Sequence, residues 1–215
     1  MTDAVVHDGV VKEWHSYEPA AGHRLAHDPL NAIVAPRPIG WISTLSATGV
    51  ANLAPYSFFN LFNYRPPIIG FASSGGKDSL TNAEATGEFV WNLVTRALAA
   101  PMNGSAATLA PEVDEFALTG LERLASDLVA PPRVAASPVQ FECRVTQIVR
   151  LAAADGRAID QHLVLGEAVK IHIDPAMLDD GVYQTARPRP ITRGGGVGDY
   201  FEVTPDRLFH LPRPA

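Results

Sequence analysis

Cysteine is almost absent from this 215-residue chain: Cys143 stands alone, so neither an internal disulfide nor a multi-cysteine metal site can form. Basic runs are also missing. With 17 Lys and Arg against 23 Asp and Glu, the formal net charge is −6, which argues against a protein that grips nucleic acid by neutralising phosphates. No apolar run approaches the roughly 20 residues that cross a bilayer. Residues 1–14 carry acidic side chains and no unbroken apolar stretch, so they do not read as a secretory signal. Together these absences predict a soluble, cytoplasmic protein with no nucleic-acid or membrane partner.

What remains is an ordinary globular composition, 47% hydrophobic and 19% charged, able to bury one sizeable core. A single domain over 1–215 is expected, its core spanning about 25–200 between an N-terminal arm and a C-terminal tail. Four of the seven histidines (His7, His15, His23, His27) fall in the arm. Their spacing lacks a paired carboxylate motif, so solvated or capping roles outrank a metal site. Pro36-Arg37-Pro38 bars a helix and leads into a strand at Ile39–Leu45. Ser46-Ala47-Thr48-Gly49 reads as a turn and Val50–Ala54 as the returning arm of a hairpin.

Ile68–Ser73 fits a buried strand. The glycine-containing loop after it runs into a short helix from about Ser79 to Thr86, with Asp78 and Ser79 as cap candidates and Gly87 as the stop. Glu88–Thr95 alternates as a strand, and 97–102 and 114–118 suggest short helical pieces. Val139, Phe141, Cys143 and Val145 alternate with polar residues, as do Val169, Ile171 and Ile173, a period of two that marks half-buried antiparallel strands. His162 precedes the second of these. Strands without long intervening helices predict a mainly β fold, a closed or split barrel with short decorating helices.

The chemistry concentrates in Pro36–Asn60 and Lys77–Asn82. Ser43 and Thr44 place two hydroxyls at the end of a strand, with Asn52 across the hairpin. Gly75-Gly76-Lys77-Asp78-Ser79 puts a lysine beside a helix start, where unpaired amides and partial positive charge suit a phosphate. The hydroxyls of Ser79 and Thr44 offer neutral donors to it. The same residues also suit a plain polar loop capping a helix, and Pro55 to Asn60 suit core aromatics after a strand. Trp41 and Trp91 read as core, and Cys143 as a buried, inert thiol. Gly194, Gly196 and Gly198 echo part of a dinucleotide fingerprint, but no strand precedes them and no helix follows.

Several segments, taken in order, carry a resemblance. Pro36-Arg37-Pro38-Ile39-Gly40-Trp41-Ile42-Ser43-Thr44, Gly49-Val50-Ala51-Asn52-Leu53-Ala54-Pro55-Tyr56-Ser57-Phe58-Phe59-Asn60 and Pro66-Pro67 come first. Lys77-Asp78-Ser79-Leu80-Thr81-Asn82, Gly87-Glu88-Phe89-Val90-Trp91-Asn92-Leu93-Val94, Met102-Asn103, Asp114-Glu115-Phe116 and Leu165-Gly166-Glu167-Ala168-Val169 follow. Over about residues 25–200 the chain resembles the flavin reductase-like family.

The resemblance implies an antiparallel split barrel, a homodimer, and FMN held near the subunit interface. It puts Thr44, Ser57, Lys77 and Ser79 near the phosphate and ribityl chain. Asn52 and the backbone from Ala54 through Tyr56, Ser57, Phe58 and Phe59 to Asn60 would line the ring. Ser43, Asp78 and Asn92 complete the cofactor-binding set, and no catalytic acid or base is assigned. Ser79 stands where many relatives carry Thr, and the spacing from Arg193 to Tyr200 is longer than the family's. The implied activity is an NAD(P)H-dependent flavin reductase, taking hydride from NADH or NADPH, with a monooxygenase or other redox partner as the implied recipient. An FMN electron carrier without nicotinamide activity is the alternative, and a split barrel for another ligand, such as haem, a third.

Overall fold

A computed structural model describes residues 5–7, 10–12 and 14–214. The side chains before Trp14, His7 among them, lie outside what is described. Seven strands build the main sheet: β1 (Gly40–Leu45), β2 (Ala51–Tyr56), β3 (Phe59–Tyr64), β4 (Pro67–Ser74), β5 (Glu88–Asn92), β6 (Val139–Ala152) and β7 (Ala158–Ile173). Their order is β2-β1-β5-β6-β7-β4-β3, with every neighbouring pair antiparallel. The outermost strands, β2 and β3, are consecutive in sequence and separated only by Ser57 and Phe58. Laid flat, six strand spacings would hold them about 29 Å apart, whereas the three Cα–Cα steps across two residues reach no further than about 11 Å. The sheet therefore curls until its edges meet. No ladder joins β2 to β3, so the barrel is split there, the mainly β architecture expected from the sequence.

Between the strands lie α1 (Leu30–Ile33), α2 (Asp78–Thr86), α3 (Ala99–Gly104) and α4 (Glu115–Thr119). Strand β1 is buried on both faces because side chains alternate along it. Trp41, with Leu53, Met102, Phe116 and Val134, fills one core cluster; Ile42, with Phe71, Leu80, Phe89 and Val164, fills the other. Cys143 belongs to the second, and burial pushes its thiol well up.

Sequence and structure part company at several edges. The two alternating segments grow into strands of 14 and 16 residues, and His162 lies inside the second rather than before it. On β7 the buried positions are Val164, Gly166 and Ala168, while Ile171 and Ile173 face outward. Gly166 sits inside because an added Cβ would lie 2.4 Å from the Phe89 ring. On β6 the polar partners Gln140 and Glu142 are buried as well, since the 125–137 segment folds over them. Strand β3 went unread in the sequence, where its aromatics suggested core or ligand contacts. The glycine-rich tail contributes Ile191–Arg193, which pairs with Arg37–Pro38 and with Tyr200–Glu202. Arg193 stacks 5.0 Å over Tyr200 and donates to the carbonyls of Gly195, Gly196, Val197 and Asp199.

Glu142 is fully buried and accepts from the amides of Asp127 (2.9 Å) and Leu128 (2.6 Å), with His172 Nε2 at 2.6 Å. Burial alone would raise its pKa, but these bonds outweigh it and hold the carboxyl below its usual value. The folded state thus binds fewer protons than the unfolded chain just below the ordinary carboxylate pKa, so stability falls as pH drops there. Glu142→Gln should cost about 1–3 kcal/mol at neutral pH and flatten the loss of stability between about pH 5 and pH 3. Urea denaturation at several pH values checks both.

Candidate functional site

At the open mouth of the barrel, where β2 ends and α2 begins, lies a cleft of about 410 Å³, within the roughly 300–1,000 Å³ usual for small-molecule sites. Its floor is β2, through Asn52, Ala54, Pro55 and Tyr56; one end is Gly75 to Ser79; its far wall is Ser105 to Leu109, Pro111 and Glu115. Gly76 has φ +75°, which favours glycine, whereas an added Cβ on Gly75 would meet only the end of the Asp160 side chain, which can move aside. The double glycine brings the backbone round to α2.

Helix α2 starts at Asp78, with Lys77 as its extended cap and no side chain closing the cap. The cap reading that favoured Asp78 and Ser79 shifts by one residue because the Ser79 hydroxyl is used elsewhere. The amides of the first turn have no carbonyl four residues back. Lys77, Asp78 and Ser79 line the cleft at this helix start, where the Lys77 side chain and the partial positive charge of the helix end suit an anion.

Behind the floor runs a buried polar chain. Register places Thr44 directly opposite Asn52, so both side chains share one face of the hairpin. Asn52 Oδ1 accepts from Ser79 Oγ at 2.7 Å and from Thr44 Oγ1 at 3.4 Å, while Asn82 Nδ2 donates to Thr44 Oγ1 at 3.1 Å. Asn52 Nδ2 donates to Glu115 Oε1 at 3.1 Å, and the Leu53 amide donates to Oε2 at 3.0 Å. Burial raises the Glu115 pKa, partly offset by these bonds. Tyr56 is also shifted upward by burial, and its hydroxyl is a buried atom with no completed hydrogen bond, facing Ser79 and Ser73.

Of the residues singled out in the sequence, Asn52, Ala54, Tyr56, Lys77, Asp78 and Ser79 line this cleft. Thr44 stands behind Asn52. Ser43 points to the opposite face, as the next residue on a strand must, and donates to the Pro132 carbonyl. Asn92 joins Trp41 O to Val134 N in the interior. Phe59 stacks on Trp91 at 5.5 Å, Phe58 lies under Arg37 at 5.7 Å, and Asn60 accepts from the Leu61 amide. Ser57 sits in the bend that closes the barrel and does not line the cleft. Sequence reasoning missed Glu115, Asn82 and the wall from Ser105 to Pro111. Asp114 caps α4 as a normal helix start, and nothing local shows that the next residue turns inward.

Elsewhere, ligand atoms of Asp127, Glu142 and His172 converge within 4.8 Å. There Lys170 pairs with Asp127 and Arg133 stands 4.0 Å from Glu142, so the positive charge a cation would bring is already supplied by side chains.

The profile of the flavin reductase like domain matches residues 34–192. An uncharacterized protein of Aquifex aeolicus is 36% identical over 170 residues, covering 76% of this chain and 83% of that one. One from Deinococcus radiodurans is 38% identical over 183 residues, covering 80% and 78%. Among solved structures, nitrilotriacetate monooxygenase component B of Bacillus cereus superposes with a TM-score of 0.78 at 27% identity, covering 85% of this chain and 90% of that one. The 2-nitrobenzoate 2-nitroreductase of Pseudomonas fluorescens superposes with 0.75 at 26%, covering 86% and 91%. With a matching profile over most of its length and curated relatives above 30% identity, the chain belongs to the flavin reductase-like domain family.

Proposed function

We propose that the cleft holds FMN and that the protein is a homodimeric NAD(P)H-dependent flavin reductase. Family membership and the two neighbours, one a monooxygenase component and one a nitroreductase, support a flavin-linked redox role. The observation that carries the FMN reading is the pairing of two features in one cleft: a lysine-flanked helix start and a buried Tyr56 hydroxyl awaiting a partner. An unpaired buried hydroxyl is costly, and a polar ligand group relieves it.

In this reading Lys77 and the amides of Asp78 and Ser79 grip the phosphate, since charge-assisted bonds are strongest there. Ala54 and Pro55 supply a flat wall for a ring, and Ser105 to Pro111 shield it from water. Bound FMN supplies the hydride-accepting chemistry, and the chain's task is to fix geometry and leave one face open to the nicotinamide. This explains why the cleft needs no acid–base pair of its own. The outermost strand supports the dimer: Leu61, Phe62 and Tyr64 are 51–73% exposed on β3, and Phe58 just before it is 53% exposed. So apolar an edge suits a second copy of the chain. Reduced flavin would then pass to a monooxygenase or another redox partner.

Lys77→Ala should weaken FMN binding by about ten-fold or more and riboflavin binding far less; an unchanged dissociation constant in a fluorescence titration would remove Lys77 from the phosphate site. Steady oxidation of NADH or NADPH with added FMN is the expected activity. Firmly bound flavin with no nicotinamide turnover would instead mark an electron carrier. Leu61→Asp should shift the protein from dimer to monomer by sedimentation velocity, and a wild type already monomeric would refute the dimer.

A further inference from the structure

The hydrogen bonds behind the cleft are ordered by Glu115, which accepts on both oxygens when it is ionised. The Leu53 amide gives its proton to Glu115 Oε2, and the Asn52 amide nitrogen gives one to Oε1, so the carboxylate acts as acceptor on both oxygens. That turns Asn52 so its carbonyl oxygen faces the other way, where it takes the single hydroxyl proton of Ser79 at 2.7 Å and that of Thr44 at 3.4 Å. Thr44 is filled further by the Asn82 amide. Ser79 and Glu115 both line the cleft, and with the Ser79 hydroxyl proton committed to Asn52 their side chains offer it lone pairs only. A phosphate is acceptor-only as a dianion and gains nothing from such a wall, while a carboxylate beside it repels it. Aliphatic hydroxyl groups are the complement, because each brings a proton.

We propose that Glu115 is a positioning residue: acting through Asn52, it turns the Ser79 hydroxyl proton away from the cleft, so that this wall accepts hydrogen bonds from the polyol chain of the ligand and takes no part in gripping its phosphate. The inference rests on the FMN reading above and refines it. It reverses the expectation that the Ser79 and Thr44 hydroxyls donate to phosphate, and leaves that task to Lys77 and the backbone at the start of α2. Tyr56 adds a donor on the same wall, next to Ser79.

The test uses the full chain and three probes: FMN, riboflavin, which lacks the phosphate, and lumiflavin, which lacks the polyol as well. Glu115→Gln keeps an acceptor for the Leu53 amide but presents an NH2 to Asn52, so Asn52 must turn over and release the Ser79 proton into the cleft. Ser79→Ala removes the accepting oxygen and leaves the Glu115 bonds to Asn52 and Leu53 in place, so it reports even if the first variant folds poorly. In Ser79→Ala the affinity ratio of riboflavin to lumiflavin should fall about three- to ten-fold; in Glu115→Gln, where a polyol hydroxyl can still accept the released proton, it should fall by less, with lumiflavin affinity unchanged in both. A ratio that stays constant, or an effect confined to FMN over riboflavin, overturns the role given to Glu115 while the FMN reading stands. A wild type that binds none of the three overturns the FMN reading itself.

Discussion

Closure of the barrel rests on a two-residue connection between the strands that end the sheet. Because Ser57 and Phe58 alone link β2 to β3, the seven-stranded sheet cannot lie open, and its curl carries the end of β4 and the start of α2 to the mouth beside β2. Tyr56, the last residue of β2, packs on Phe71 of β4 at 4.8 Å across that seam. The seam has no strand ladder, and the cleft opens beside it at the end of β2. The cleft is thus a direct consequence of how the sheet closes. A shorter sheet or a longer connection would have no need to make it.

Two buried carboxylates fasten the irregular segments that the barrel itself does not organise. Glu142 reaches from β6 to the amides of Asp127 and Leu128, and Glu115 reaches from α4 to Asn52 and Leu53 on β2. Each exchanges water for two or more directed donors, which offsets the cost of burying charge. They differ in outcome. Glu142 gains a third partner in His172 and is held low, whereas burial, with Asp78 adding a little, holds Glu115 high. The first anchors a loop in the interior, and the second braces a wall of the cleft.

Much of the fold was legible because it depends on local rules. A proline-led entry marked β1, an apolar run marked β4, alternation marked β5, β6 and the end of β7, the Ser46–Gly49 turn marked the first hairpin, and Gly87, with φ +71°, stopped α2 where expected. The errors came where burial is decided by a distant segment. Ile171 and Ile173 look like an inner face, yet Val164, Gly166 and Ala168 take that place because Phe89 fills the space above Gly166. Glu142 looks like an outer residue until the 125–137 segment covers it. β3 looked like a patch of core aromatics, since an exposed edge rich in Phe and Tyr contradicts the usual polar pattern.

The sequence by itself determined a mainly β chain with one helix start flanked by a lysine and two glycines, and its ordered motifs identified the family. Those are properties of near neighbours along the chain: strand alternation, turn chemistry and backbone freedom at glycine. Only the tertiary structure decided which of the marked residues meet. It brought Asn52, Tyr56, Lys77 and Ser79 to one cleft, turned Ser43 and Asn92 to the interior, and supplied Glu115 from a helix more than sixty residues beyond Asn52. The physical reason is that the direction of a hydrogen bond depends on what stands at its far end, and that partner arrives only when the sheet has closed.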